Sequence, residues 1–314
     1  MFRDTTHAQD WQPPHCPNPR CKFHHARSER WRYRRHGYYQ RDARPHRIRR
    51  YLCLHCRKSF SSQTFSTTYY LKRPDILPEV LALTVSAAAN RQSGRKIPAA
   101  PATIDNQLAR LGRHCMLLHR HLMARASPFG DIAIDGLRTF EYSKYFPFEH
   151  LVAVDPQTSL LIHWNDAPLR RMGTMTAYQE RRREQLEQRL GVPDPRAIEK
   201  GMREVLQVAL RGAERATVRS DEHQAYPRAM QGLECAITHR QTSSKRKRDQ
   251  NNELCEINAL DSFWRHCSAN HRRATIAWSR RRQASAERLA IFGVWKNLVK
   301  WRLEKNCDQT PAML

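Results

Sequence analysis

No apolar run in this 314-residue chain is long enough to cross a bilayer, which leaves no candidate membrane-spanning helix. The opening residues Met1-Phe2-Arg3-Asp4-Thr5 also lack the apolar core of a secretory signal. A cytoplasmic protein is therefore expected, with its nine cysteines reduced and no disulfide framework. Negative charge is in short supply too. Only 30 Asp and Glu stand against 55 Lys and Arg, a formal net charge of +25. A surplus of that size speaks of partners rather than of fold, and the polyanion it suits best is nucleic acid.

The amino-terminal segment is poor in aliphatic side chains and rich in cysteine. Cys16 and Cys21 form one close pair and Cys53 and Cys56 another. Two such pairs, a few dozen residues apart, suit a four-thiolate zinc ribbon, because each pair supplies two corners of a tetrahedron. His15, His24, His25 and His55 lie near enough in sequence to replace a cysteine. Arg32, Arg34, Arg35, Arg47, Arg49 and Arg50 alternate with Trp31, Tyr33, Tyr38, Tyr39 and Tyr51, a mixture suited to a DNA backbone or to a solvated face. Cys115, Cys235, Cys255, Cys267 and Cys307 are scattered and read as packing residues.

Residues 74–90 carry an apolar helical run, and residues 93–113 read as a helix-turn-helix. Pro98 and Pro101 break the chain there, and Thr103 is placed to cap a helix containing Ile104, Leu108 and Leu111. Asn106, Gln107, Arg110 and Arg113 would then face a major groove. A structural helical hairpin has the same pattern.

Residues 131–140 alternate apolar and polar side chains and predict a strand, with Ile132 and Ile134 on one face and Asp131, Ala133 and Asp135 on the other. Runs at 150–154 and 159–164 predict two more strands, completing an antiparallel meander. An ionised aspartate midway along its first strand suits a hard cation such as Mg²⁺, although solvated aspartates are common there. Amphipathic helices are expected over 176–190 and 196–210, then strands at 215–220 and 235–239, and helices over 254–270 and 283–304. Asp221 falls at the carboxyl end of a strand and ahead of a helix, where open α/β sheets hold ligands. The run Lys245, Arg246, Lys247 and Arg248 reads as a phosphate-contacting loop.

This element order is close to that of the ribonuclease H-like fold. The chain as a whole resembles DDE-type bacterial insertion-sequence transposases with an amino-terminal zinc ribbon. The resemblance rests on Cys16, Cys21, Cys53 and Cys56 with the run 60–65, on Ile134-Asp135-Gly136, on Ser220-Asp221-Glu222 with Tyr226, and on the last helix. It implies a multidomain α+β protein: a small zinc ribbon over 1–72, a helix-turn-helix over 73–125, and an α/β ribonuclease H-like domain over 126–314 with a helical insertion at about 168–212. It further implies a nucleoid-associated DNA transposase that binds terminal inverted repeats of double-stranded DNA as a homodimer or larger assembly. Its two Mg²⁺ or Mn²⁺ ions would cleave strands and join the freed 3′-hydroxyl to target DNA, while structural Zn²⁺ fills the ribbon. The family pattern places Asp135, Asp221 and, where a glutamate is usual, Asn258 as the metal-binding triad, with Arg265 about two turns on as the phosphate-contacting base. Asn258, Asp261 and Arg265 share one helical face. Asp261 and Glu287 remain rivals to Asn258; Glu256 would face away. The missing third acid leaves open a non-catalytic DNA-binding regulator or an inactive relic, and a stand-alone nuclease of the same fold is a third reading.

Overall fold

The computed structural model describes residues 11–24, 28–303, 305 and 307–314. Met1–Thr5, His25 and Glu304, on which some expectations fell, lie outside the described residues. The chain divides into two compact units, Met1–Val80 and Leu81–Leu314.

In the first unit β1 (Tyr33–Gln40), β2 (Arg47–Cys53) and β3 (Ser59–Ser61) form an antiparallel sheet in that order. With few aliphatics to bury, the unit builds its core from rings and thiols: Trp31, Tyr51 and Phe60 pack with Cys16, Cys21 and Cys53. Tyr51 and Phe60 face each other across the β2–β3 pair with centroids 5.6 Å apart. Trp31 and Tyr51 are therefore core residues and not part of a DNA-facing aromatic surface. Tyr38 and Tyr39 do stay exposed, and the Arg47 and Arg49 guanidinium groups lie over the Tyr38 ring at 3.9 and 4.7 Å.

The second unit is arranged around β4 (Asp131–Phe140), the middle strand of a five-stranded sheet in the order β6-β5-β4-β7-β8. β5 (Pro147–Val154) runs antiparallel to both β4 and β6 (Leu161–Pro168). β7 (Arg215–Ser220) and β8 (Ala236–Gln241) run parallel to β4. A meander continued on its other side by parallel crossovers is the ribonuclease H-like topology. Both faces of β4 are covered. Ile132 and Ile134 pack with α5 (Ala197–Ala209) and α6 (Ala225–Met230), while Ala133 and Leu137 pack with α7 (Cys255–Cys267) and α8 (Arg282–Leu298).

Three expectations change. The anticipated insertion at 168–212 is only half an insertion. α4 (Ala177–Leu190) has no buried residue, but α5 buries Met202, Val205, Leu206 and Ala209 against the sheet as the crossover to β7. Residues 81–125 share a compact unit with the sheet. After α1 (Leu77–Val85) and α2 (Asn90–Lys96), α3 (Pro101–Met123) runs 23 residues, twice the length of a recognition helix ending at Arg113, and crosses α8. Gln107 is 2% exposed on that inward side and cannot face a groove, whereas Asn106 and Arg113 are exposed and Arg110 is half-buried. Arg113 is bound at 3.4 Å to Glu287 of α8. Among the described residues no helix is long and apolar enough to cross a membrane.

The α3–α8 crossing turns on Gly112. A Cβ there would lie 2.5 Å from the Glu287 Cβ and 2.7 Å from its carbonyl oxygen. Helix propensity alone favours Ala over Gly by about 1 kcal/mol, but backbone this close cannot yield cheaply. We expect Gly112→Ala to lose about 1–3 kcal/mol instead, read as a fall in Tm. An unchanged or raised Tm would mean that the two helices do not approach at Gly112.

Candidate functional site

The four ribbon cysteines meet. Their sulfurs all lie within 4.8 Å of one another, and Cys16 Sγ is 3.6 Å from Cys56 Sγ. A tetrahedral Zn²⁺ with Zn–S bonds of about 2.3 Å keeps its sulfurs about 3.8 Å apart, so the cluster fits that ion. Two tight turns shape it: Cys21 N–H donates to the Asn18 carbonyl, and Arg57 N–H to the Cys53 carbonyl. Trp31 Nε1 donates to Cys53 Sγ at 3.2 Å. Burial pushes the Cys16 and Cys21 thiols up. Cys56 is also raised by burial, yet hydrogen bonds from Asn18 and the Lys58 backbone bring it down to about 7. His15 and His24 bond instead to the Cys16 carbonyl.

The second cluster lies at the sheet. Asp135 sits midway along β4, held by pairing with Val152, and its Oδ1 accepts the Gly136 N–H at 2.7 Å. Asp221 follows the last residue of β7 and accepts the His223 N–H. Asp261 lies on α7, one turn after Asn258. Burial raises the Asp135 carboxyl to about 7, helped by the charges of Asp261, Asp221 and Glu149 and opposed by the Gly136 N–H. Burial likewise raises Asp261 to about 6 against the pull of Arg265, Arg248 and Arg273. Arg265 is half-buried and lies within the field of both Asp261 and Asp135.

Asp261 Oδ1 is buried and has no hydrogen-bond partner. A desolvated carboxylate oxygen beside two more carboxylates is a donor set suited to hard divalent cations. The carboxylates do not converge as the thiols do. Among the described residues the cysteine quartet alone forms a group of His, Cys, Asp or Glu with ligand atoms within 4.8 Å of one another.

Two participants were not foreseen as part of the carboxylate cluster. Glu149 on β5 is raised by burial and by Asp221, with Arg138 and His223 opposing. The Tyr226 hydroxyl is buried, with its acidity suppressed by burial and then by Asp135, Asp221, Glu149 and Asp261. Gly136 makes room for both: a Cβ there would lie 2.8 Å from Glu149 Oε2 and 3.4 Å from the Tyr226 hydroxyl. Tyr226 carried a motif signal; Glu149 carried none, since the expected strand began at 150 whereas β5 begins at Pro147.

The rivals to Asn258 separate cleanly. Glu287 is 4% exposed at the α3–α8 crossing and pairs with Arg113, and Glu256 accepts the Ser159 hydroxyl. Lys245, Arg246, Lys247 and Arg248 are exposed on the loop after β8, with Lys247 paired to Asp249 and Arg248 within the field of Asp261.

Two consequences are measurable. A raised folded-state carboxyl costs stability progressively as pH climbs from the unfolded value, 3.8, to about 7. Without divalent ions, Asp135→Asn is expected to be about 2 kcal/mol more stable than the parent at pH 8 and no more stable near pH 4. Thermal melts at the two pH values check it, and equal gains at both would show that Asp135 carries no such charge. Metal analysis should find one Zn per chain in the parent and less in Cys53→Ser.

No protein-family model matches the chain, and no curated protein sequence does either. Among solved structures the chain is similar to a piggyBac transposase synaptic complex with hairpin DNA, at 12% identity over 61% of this chain and 44% of that one, TM-score 0.31. A simian T-cell lymphotropic virus intasome in complex with PP2A regulatory subunit B56 gamma is similar at 13% identity over 76% and 71%, TM-score 0.27. The catalytic domain of Mos1 mariner transposase is similar at 13% identity over 60% and 91%, TM-score 0.18. The chain thus spans less than half the length of the first of these, and its fold assignment rests on its own strand order.

Proposed function

We propose that the chain is a divalent-metal-dependent DNA transposase, and the observation that carries this is the grouping of the carboxylates Asp135, Asp221 and Asp261 beside Arg265, with Asp135 and Asp261 both raised by burial. Asp135 offers carboxylate oxygens from within β4, and Asp221 from the position just after β7. Asp261 is the better third ligand than Asn258, because its buried oxygen lacks any other partner and its charge acts directly on Asp135. Asn258, half-buried one turn earlier, supports the rim of the site. Two Mg²⁺ or Mn²⁺ ions bound there supply activation of the attacking water or 3′-hydroxyl and stabilisation of the leaving 3′-oxygen.

The chain's own residues do the rest. Arg265 holds a phosphate oxygen near the scissile bond, and the exposed run 245–248 carries the strand to it. Tyr226 stays protonated at working pH and so places an uncharged hydroxyl among the carboxylates. The ribbon unit, with Zn²⁺ on its four thiols, and the exposed Asn106 and Arg113 bind terminal repeats. Processing two ends together calls for a homodimer or larger assembly.

A labelled element-end duplex incubated with Mg²⁺ or Mn²⁺ tests this. Strand cleavage and joining should fall about 1,000-fold or more in Asp135→Asn, Asp221→Ala and Asp261→Asn, and less than about ten-fold in Asn258→Ala. Full activity of Asp261→Asn would return the third place to Asn258. Binding without product in every protein would leave a non-catalytic regulator.

A further inference from the structure

Within the ribbon unit lies an open recess of about 930 Å³, which borders the first zinc turn at Cys16, Pro17 and Asn18. Its volume falls in the range of small-molecule sites, about 300–1,000 Å³. Its lining is unbalanced in charge: Arg41, Arg50, Lys58 and Lys72 stand against Asp42 alone. Lys58 and Lys72 are exposed, so the positive field reaches the mouth.

Two features make the recess more than a basic surface. Gln63 lines it and is 3% exposed; its Nε2 donates to the Thr68 hydroxyl at 3.0 Å, but its buried amide oxygen Oε1 accepts nothing. A buried acceptor without a donor costs about 1–3 kcal/mol unless a ligand completes it. The second feature is aromatic. Tyr69 and Tyr70 both line the recess with ring centroids 4.4 Å apart, and Tyr70 is 82% exposed. Tyr70 also holds φ +63°, a left-handed backbone that is costly for a bulky side chain.

A flat ring at the mouth, a hydrogen-bond acceptor inside and cations along the rim match one ligand chemistry. A base offers a π-face to stack and N–H donors at its edge, and its phosphates meet the lysines and arginines. A duplex cannot use this arrangement, because its base faces are covered by their neighbours. We propose that the recess of the ribbon unit binds an unpaired nucleotide stretch, with one base stacked on Tyr70 and its edge donating to Gln63. The inference does not depend on the carboxylate site, and it assigns the ribbon a preference for single strands that double-stranded repeat binding does not require.

Fluorescence anisotropy of the full-length protein tests it, with a labelled 12-nucleotide DNA strand, the RNA of the same sequence, an abasic strand of the same length and charge, and the corresponding duplex. Stacking is worth about 5- to 150-fold per base. Tyr70→Ala should weaken single-strand binding by at least about five-fold, with Tyr70→Phe retaining it, and leave duplex binding unchanged within about two-fold. The abasic strand should bind as weakly to the parent as the normal strand binds to Tyr70→Ala. Tyr70 is exposed, so its variants leave the fold intact; Gln63→Met adds a second reading of the same contact. Comparable affinity for DNA and RNA strands supports the shared chemistry, and a difference between them identifies the natural strand. Equal binding of abasic and normal strands, or equal losses for strand and duplex in Tyr70→Ala, would overturn the proposal. Because cleavage plays no part in the readout, an inactive carboxylate site leaves the outcome unaffected.

Discussion

Like charges that cannot move apart are the constraint on which the second unit depends. Asp135, Asp221, Asp261 and Glu149 surround one buried tyrosine hydroxyl, and burial raises Asp135 from 3.8 to about 7. Such a shift corresponds to at most about 4 kcal/mol of unfavourable free energy at neutral pH. The scaffold tolerates it because each carboxylate hangs from an element fixed elsewhere. β4 is paired on both edges, and α7 is pinned by Ile257, Leu260 and Trp264, all but fully buried. Each such side chain contributes about 1.5–3 kcal/mol, so α7 cannot swing Asp261 into solvent without losing more than the repulsion costs.

A polar chain beneath the site fixes α8 and the segment before it. His271 Nε2 and His150 Nε2 each form a hydrogen bond with Ser285 Oγ at 2.8 Å, and His150 Nδ1 forms one with Asp166 at 2.5 Å. These bonds tie the α7–α8 connection and α8 to β5 and β6. Trp264 closes the group, with ring centroids 5.1 Å from His150 and 4.4 Å from His271. Burial drives His271 well below its ordinary value, so it stays neutral and can keep its place in the chain. Directional bonds of this kind set the register of α8 against the sheet, which packing of apolar faces alone leaves free to slide.

Much of this was legible locally. The strands at 131–140 and 215–220 match their expected limits, because alternation and β-branched residues act within a few positions. The helices over 177–190 and 197–209 matched within a residue or so. Illegible were the features decided by partners distant in sequence. Nothing near Gln107 says that it is buried, and nothing near Gly112 or Arg113 says that Glu287 of α8 meets them, since α3 and α8 are joined only through their crossing. The polar look of α4 and α5 as one insertion hid the fact that only α5 has a continuous apolar stripe for the sheet. Glu149 joins the site through cross-strand register: it falls on the side of the sheet where Gly136 lacks a side chain. The choice between Asn258 and Asp261 is of the same kind, since both share a helical face and only the three-dimensional position of Asp135 distinguishes them.

The two clusters also show why one set of ligands closes up and the other stays apart. Thiols raised by burial are neutral until a metal arrives, so Cys16 and Cys21 can approach their partners without repulsion. An aromatic core then holds them at near-tetrahedral spacing, a closed arrangement suited to a structural ion. Carboxylates bring charge once they are ionised, and bringing three of them within a single coordination sphere is opposed until cations compensate it. Separation is thus the expected geometry of hard, charged groups with no cation between them. The fold fixes where each carboxylate sits through β4, β7 and α7, and packing rather than attraction between them sets their spacing.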